Sequence, residues 1–145
     1  MMAPAFHVAQ ETAVWPPPPP LRELLLDADP DERQVADHLA HGELYVARSR
    51  GAAAGAIVIR QTGEDTWEIM NCSVAPEYRR HGCGTALVLH ALHIIRNKGA
   101  RYAELGTCDA SPGPMALYES CGFRISGVVK NHFTVNYPEP VWDNG

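Results

Sequence analysis

The 145-residue sequence predicts one α/β domain with a central sheet that is mixed, mostly antiparallel and flanked by helices. Three observations lead to this fold class. Two short helical patterns come first, three β-rich runs joined by short turns come next, and a strand then leads into a long helix and a further strand. These patterns predict a helix pair, an antiparallel meander and a crossover connection.

The N-terminal segment, residues 1–20, is expected to be extended and proline-rich. Its Trp15–Pro20 stretch reads WPPPPP, and each proline lacks an amide donor and restricts the residue before it. We interpret this stretch as a stiff surface connector. A polyproline ligand for a partner's groove is the alternative.

Two short helices are predicted at residues 21–27 and 31–41. Pro30 separates them, Asp31 can cap the second, and Gly42 follows its end. The apolar positions expected to face the core are Leu24, Leu25, Val35 and Leu39.

The meander strands are expected at residues 43–49, 53–61 and 66–74, because β-favouring side chains there alternate with Gly-containing turns.

The C-terminal half begins with a helix over residues 82–98, whose apolar side chains recur at helical spacing and which ends before Gly99. A strand at 101–107, a short helix starting near Pro114 and a strand at 123–129 follow.

Net charge and cysteine spacing exclude several classes of protein. With 17 acidic and 12 basic residues the formal charge is −5, which argues against nucleic-acid or anionic-membrane binding. The N-terminus lacks a signal-peptide pattern, and no segment reaches the roughly 18 apolar residues of a membrane span. The four unevenly spaced cysteines show no zinc pattern, so we expect no metal site and a cytoplasmic protein with reduced thiols.

The stretch PEYRRHGCGTAL joins the third meander strand to the long helix. A helix start presents free backbone amides and favours negative charge. Gly82 and Gly84 let a ligand approach the main chain, Arg79 and Arg80 add charged donors, and Thr85 adds a hydroxyl. Taken alone, the pattern fits a pyrophosphate site or a purely structural helix start. It lacks the Lys of a Walker loop and the third glycine of a dinucleotide fingerprint.

Two ordered motifs give this anion site a ligand. NCSVAPEYRRHGCGTAL, followed later by ALYESCGFR, resembles the GNAT superfamily of acetyl-CoA-dependent N-acetyltransferases from about residue 20 to the end. The first motif carries the family's CoA-pyrophosphate pattern Arg79-x-x-Gly82-x-Gly84, and the second its Leu-Tyr-x-x-x-Gly-Phe element. The tail, with NYPEP before a final NG, is similar to a bacterial branch of uncharacterised members that continue into one more strand. That strand is expected beyond Gly145 or from a partner, which leaves a homodimer open.

The resemblance implies a GNAT fold with splayed fourth and fifth strands, acetyl-CoA as co-substrate and no metal. The pantetheine arm would enter the splayed gap and pair with backbone amides of Cys72, Ser73 and Val74. Many members have a CoA-contacting asparagine where this chain has Ser111. The residues implied at the pyrophosphate are Arg79, Arg80, His81, Gly82, Cys83, Gly84 and Thr85.

The implied reaction moves acetyl from acetyl-CoA to a primary amine of a small molecule or peptide by direct transfer in a ternary complex. Tyr118 matches the family's tyrosine acid, which protonates the departing thiolate. Glu104 matches the base of the related ribosomal-protein N-acetyltransferases if two extra residues are allowed in the following loop, and Glu68 is the alternative base, acting through a water molecule. A non-catalytic acyl-CoA sensor and a polyproline interaction protein are the rival hypotheses.

Overall fold

The computed structural model describes residues 5–106, 124–129 and 132–136. Within these ranges, seven strands form one sheet in the order β1-β2-β3-β4-β5-β7-β6. All neighbouring strands are antiparallel except the parallel pair β4 and β5. In chain order the elements are β1 His7–Glu11, α1 Leu21–Ala28, α2 Glu32–His41, β2 Glu43–Ser49, β3 Ala52–Gly63, β4 Thr66–Val74, α3 Cys83–Asn97, β5 Tyr102–Gly106, β6 Arg124–Val129 and β7 His132–Asn136.

This architecture confirms the predicted fold class and the order of the predicted elements. The Asp31 side chain caps α2 by accepting hydrogen bonds from the amides of Arg33 and Gln34. A 3₁₀ turn at Pro76–Tyr78 leads from β4 towards α3. The short helix expected near Pro114 lies outside the described residues.

The expected extended N-terminal segment contains strand β1, which the sequence did not reveal. β1 pairs antiparallel with β2, and the Arg48 guanidinium binds both carboxylate oxygens of Glu11 at 2.7 and 2.8 Å. Trp15 packs against the apolar cluster around α1. The segment is therefore part of the fold as well as a connector.

Strand β7 was also not predicted. It lies between β5 and β6 and pairs antiparallel with both. The further strand expected beyond Gly145 stays a prediction.

Two apolar clusters lie on opposite faces of the sheet. One packs α3 against the sheet through fully buried side chains such as Leu87, Leu92 and Ile95. The other packs α1 and α2 through Leu25 and Val35. Because full burial of one such side chain contributes roughly 1.5–3 kcal/mol, both helix layers are held firmly to the strands between them.

Candidate active site

The described pairing of strands β4 and β5 covers only the first part of β4. Their parallel pairing runs from Thr66 opposite Tyr102 to Ile69 opposite Leu105. β4 then continues to Val74, and in the described part of the chain its last residues pair only with β3. Among the described residues, the backbone edge of β4 that faces β5 is therefore open beyond Ile69. Because β5 is described only as far as Gly106, the splay of the two strands stays a prediction.

Helix α3 begins beside this open edge with a glycine. Gly82 is the N-cap, has a φ of +85° in the left-handed region and provides no capping side chain. Arg80, just before it, also has a positive φ of 65°. Among the described residues, a Cβ placed on Gly82 would meet no atom within 4 Å, and one on Gly84 would meet only Val74 Cγ2, at 3.6 Å. In this part of the chain the space beside both glycines is therefore open, as an anion site at the helix start requires.

The side chains of this loop divide into exposed and buried groups. Those of Arg80, His81 and Thr85 are exposed. Cys83 is only 1% exposed, and its burial raises the pKa of the thiol. The side chain of Cys83 therefore belongs to the core, and its backbone amide is the part that remains for a ligand.

Arg79 ties the end of β4 to helix α1. Its Nε donates to the Val74 carbonyl at 3.1 Å, and its Nη2 donates to Asp27 Oδ2 at 3.2 Å. Ser73 Oγ donates to the same carboxylate oxygen at 3.4 Å. The assignment of Arg79 to the donor phosphates stays a prediction, since the structure shows its guanidinium bound to protein groups.

Both candidate bases lie side by side on the other face of the sheet. Glu68 on β4 is directly opposite Glu104 on β5, and on its other side it is opposite Arg60 of β3. Arg60 contacts Asp37 and His38 of α2, so all the side chains of this row point towards the α1 and α2 face. Glu68 is 9% exposed and Glu104 is half-buried.

A charged group on α2 borders this row. Arg60 Nη1 donates to Asp37 Oδ2 at 2.8 Å, and this hydrogen bond lowers the pKa of the Asp37 carboxyl. Burial and the neighbouring Arg60 charge lower the pKa of His38. His38 is therefore neutral at pH 7.

Asn71 was not singled out from the sequence. It lies on the open part of β4, is 5% exposed, and donates from Nδ2 to the carbonyl of Leu25 in α1 at 3.0 Å. Within the described residues its Oδ1 has no hydrogen-bond partner. Because β4 also carries Thr66, Glu68 and Ser73, the sequence offered no signal that set Asn71 apart.

Two predicted site residues, Tyr118 and Ser111, lie outside the described residues. In the described part of the chain, no three His, Cys, Asp or Glu side chains are grouped as metal ligands. None of the helices described is both long and apolar enough to cross a membrane.

Residues 7–123 match the family model of the acetyltransferase (GNAT) family. The chain belongs to the GNAT family. It is 37% identical over 125 residues to YvbK, an uncharacterised N-acetyltransferase of Bacillus subtilis, covering 86% of this chain and 81% of that protein. It is 26% identical over 129 residues to the ribosomal protein bS18-alanine N-acetyltransferase of Escherichia coli, covering 89% and 78%.

Among solved structures, a Bacillus subtilis acetyltransferase in complex with CoA superposes with a TM-score of 0.78 at 27% identity. The match covers 94% of this chain and all of the other. Together with the named relatives, it identifies this GNAT protein as an acyltransferase of the N-acetyltransferase type.

Proposed function

We propose that this GNAT protein transfers the acetyl group of acetyl-CoA directly to a primary amine within a ternary complex. The observation that carries the proposal is the open edge of β4 lying next to the glycine-capped start of α3. The first feature offers backbone groups to an extended arm, and the second offers amides to a pyrophosphate. CoA contains an extended pantetheine arm and a pyrophosphate, joined in this order.

The donor side uses main-chain groups. The first-turn amides of α3 would bind the pyrophosphate, with the helix dipole favouring its charge and Arg80 and Thr85 at the rim. Amides of Cys72, Ser73 and Val74 would pair with the pantetheine arm. The open space in front of Gly82 and Gly84 fits such a ligand. Acetyl-CoA supplies a thioester that is already reactive towards amines.

The acceptor side is the opposite face of the sheet. A donor bound at α3 reaches the gap from the α3 face, so the amine must approach from the face of α1 and α2. Glu68 and Glu104 lie in register on that face, beside the point where the described pairing of β4 with β5 ends. Either carboxylate would take the proton that the attacking nitrogen loses, and two carboxylates also attract a cationic amine. Tyr118 would donate a proton to the departing sulfur.

The acceptor is a primary amine of a small molecule or a peptide. The Escherichia coli relative is named for alanine of a ribosomal protein, which supports testing a peptide amine beside a small one. We also propose a cytoplasmic location. We propose no nucleic-acid partner, because the net charge of −5 disfavours binding to a polyanion. A homodimer stays open.

The test is release of the CoA thiol from acetyl-CoA, measured with n-butylamine, spermidine and a peptide with an N-terminal alanine. Wild-type protein should release CoA with at least one of these amines. Tyr118→Phe should lower kcat while leaving acetyl-CoA affinity nearly unchanged. Whichever of Glu68→Gln and Glu104→Gln loses more activity near neutral pH identifies the base. Acetyl-CoA binding without CoA release from any amine would contradict the proposed reaction.

A further inference from the structure

Among the described residues, only one half of the Asn71 amide takes part in a hydrogen bond. Its Nδ2 donates to the Leu25 carbonyl, whereas its Oδ1 is buried and has no partner among the described residues. A buried acceptor without a hydrogen bond destabilises a protein, so such groups are uncommon and often mark a functional position.

The hydrogen bond that Asn71 does make is not essential for Leu25. The same Leu25 carbonyl accepts the backbone amide of Asp29 at 3.2 Å, at the C-terminal end of α1. An apolar side chain in place of Asn71 would leave this carbonyl paired and would remove the unpaired oxygen. The stability of the fold alone therefore does not account for an asparagine here.

Asn71 lies where an acceptor would enter. It follows Ile69, the last β4 residue paired with β5, and its contact with α1 places it on the same face as Glu68. The α3 face, where the donor phosphates would bind, is on the other side of the sheet. The unpaired oxygen therefore belongs to the side from which the amine approaches.

We propose that Asn71 is a positioning residue for the acceptor, and this inference rests on the proposed function. Its Oδ1 accepts one N–H of the attacking amine and so directs the nitrogen lone pair towards the thioester carbon. In the transfer, the nitrogen–carbon bond forms and the carbon–sulfur bond breaks. One amine proton passes to Glu68 or Glu104, and the sulfur gains a proton as free CoA leaves.

This arrangement selects primary over secondary amines. A neutral primary amine has two N–H groups, one for the base and one for Asn71. A neutral secondary amine has a single N–H and cannot satisfy both. A site built to hydrogen-bond a substrate N–H discriminates against the analogue that lacks it.

The experiment compares kcat/KM for two matched pairs: n-butylamine with N-methylbutylamine, and an N-terminal alanine peptide with its N-methylalanine counterpart. In Asn71→Leu, activity on the primary amine should fall about ten-fold, while activity on the secondary amine changes about two-fold at most. Acetyl-CoA affinity should be unchanged, and the unfolding temperature should be unchanged or higher. Asn71→Ala, which adds no volume, should show the same loss of selectivity.

Asn97→Leu is the control, because Asn97 is exposed at the end of α3, where its side chain forms a hydrogen bond with His93. It should leave both activities unchanged. Asn71 variants that lose stability but keep the ratio of primary-amine to secondary-amine activity would show a purely structural role. Weakened acetyl-CoA binding would place the residue at the donor site. Either result overturns the proposal. If the wild type releases CoA with none of n-butylamine, spermidine and the alanine peptide, the proposed function itself fails, and the assignment of Asn71 fails with it.

Discussion

Replacing Gly82 with alanine separates the strain of the helix start from its role in binding. Gly82 and Gly51 have nearly the same φ, +85° and +84°, and a Cβ at either position would meet no atom of the described residues within 4 Å. We therefore expect either alanine to destabilise the fold through its left-handed backbone, by about 1–2 kcal/mol. For a chain of this size this corresponds to a fall of about 3–8 °C in the unfolding temperature.

The two variants should differ in donor binding. Gly82 caps α3, so a methyl group there would stand in front of the amides proposed to bind the pyrophosphate, whereas Gly51 lies in the turn between β2 and β3. Loss of one hydrogen bond to a charged group costs about 1.5–3 kcal/mol. Gly82→Ala should therefore weaken acetyl-CoA binding about ten- to hundred-fold, and Gly51→Ala should not weaken it.

Differential scanning calorimetry and isothermal titration calorimetry measure the two effects separately. Equal losses of stability in the two variants, with a loss of acetyl-CoA affinity in Gly82→Ala alone, would support a pyrophosphate site at the start of α3. Equal acetyl-CoA affinity in both variants would refute the placement of the pyrophosphate at the start of α3.

Three further changes test other parts of the structure. Gly55→Ala would bring a Cβ to 2.9 Å from Cys83 Sγ beneath the first turn of α3, so we expect about 1–3 kcal/mol of destabilisation in urea unfolding, and wild-type stability would contradict this close packing. Burial lowers the pKa of His38, so below about pH 6.5 the unfolded chain binds more protons than the folded chain, and stability falls as the pH falls. Between pH 7.5 and 5.5, the unfolding temperature of His38→Gln should therefore fall less than that of the wild type. An equal fall in both proteins would exclude this histidine as the cause. Arg48→Met should lower the free energy of unfolding by about 1 kcal/mol at pH 7, because it removes the ion pair that lowers the pKa of Glu11. This difference from the wild type should shrink as the pH falls below 4.5 and Glu11 becomes protonated. A difference that persists in acid would indicate lost packing instead.

Most of the fold could be predicted because its elements carry local signals. The apolar spacing of α3, the Asp31 cap and the turns of the meander depend on neighbours in sequence, and the structure confirms them. Strand β1 has no such signal: its five residues, HVAQE, include polar side chains and, in the described part of the chain, pair with β2 alone. Its place in the sheet depends on contacts such as Glu11 with Arg48, 37 residues away.

The candidate site could be predicted only where main-chain chemistry dominates. Gly82 and Gly84 indicated an anion site because a glycine-rich helix start is a local pattern. The alignment of Glu68 with Glu104 depends on the register of two strands joined through α3, which no spacing in the sequence fixes. The hydrogen bonds of Asn71 and Ser73 with α1 each join residues 46 positions apart, so only the folded chain reveals these contacts.

Amide hydrogen exchange with and without acetyl-CoA tests the donor site most directly. We expect acetyl-CoA to slow exchange at two separate segments, Cys72–Val74 on the open edge of β4 and Cys83–Thr85 in the first turn of α3, while β1 exchanges at its original rate. Protection confined to other parts of the chain, with both of these segments unchanged, would contradict the proposed donor site.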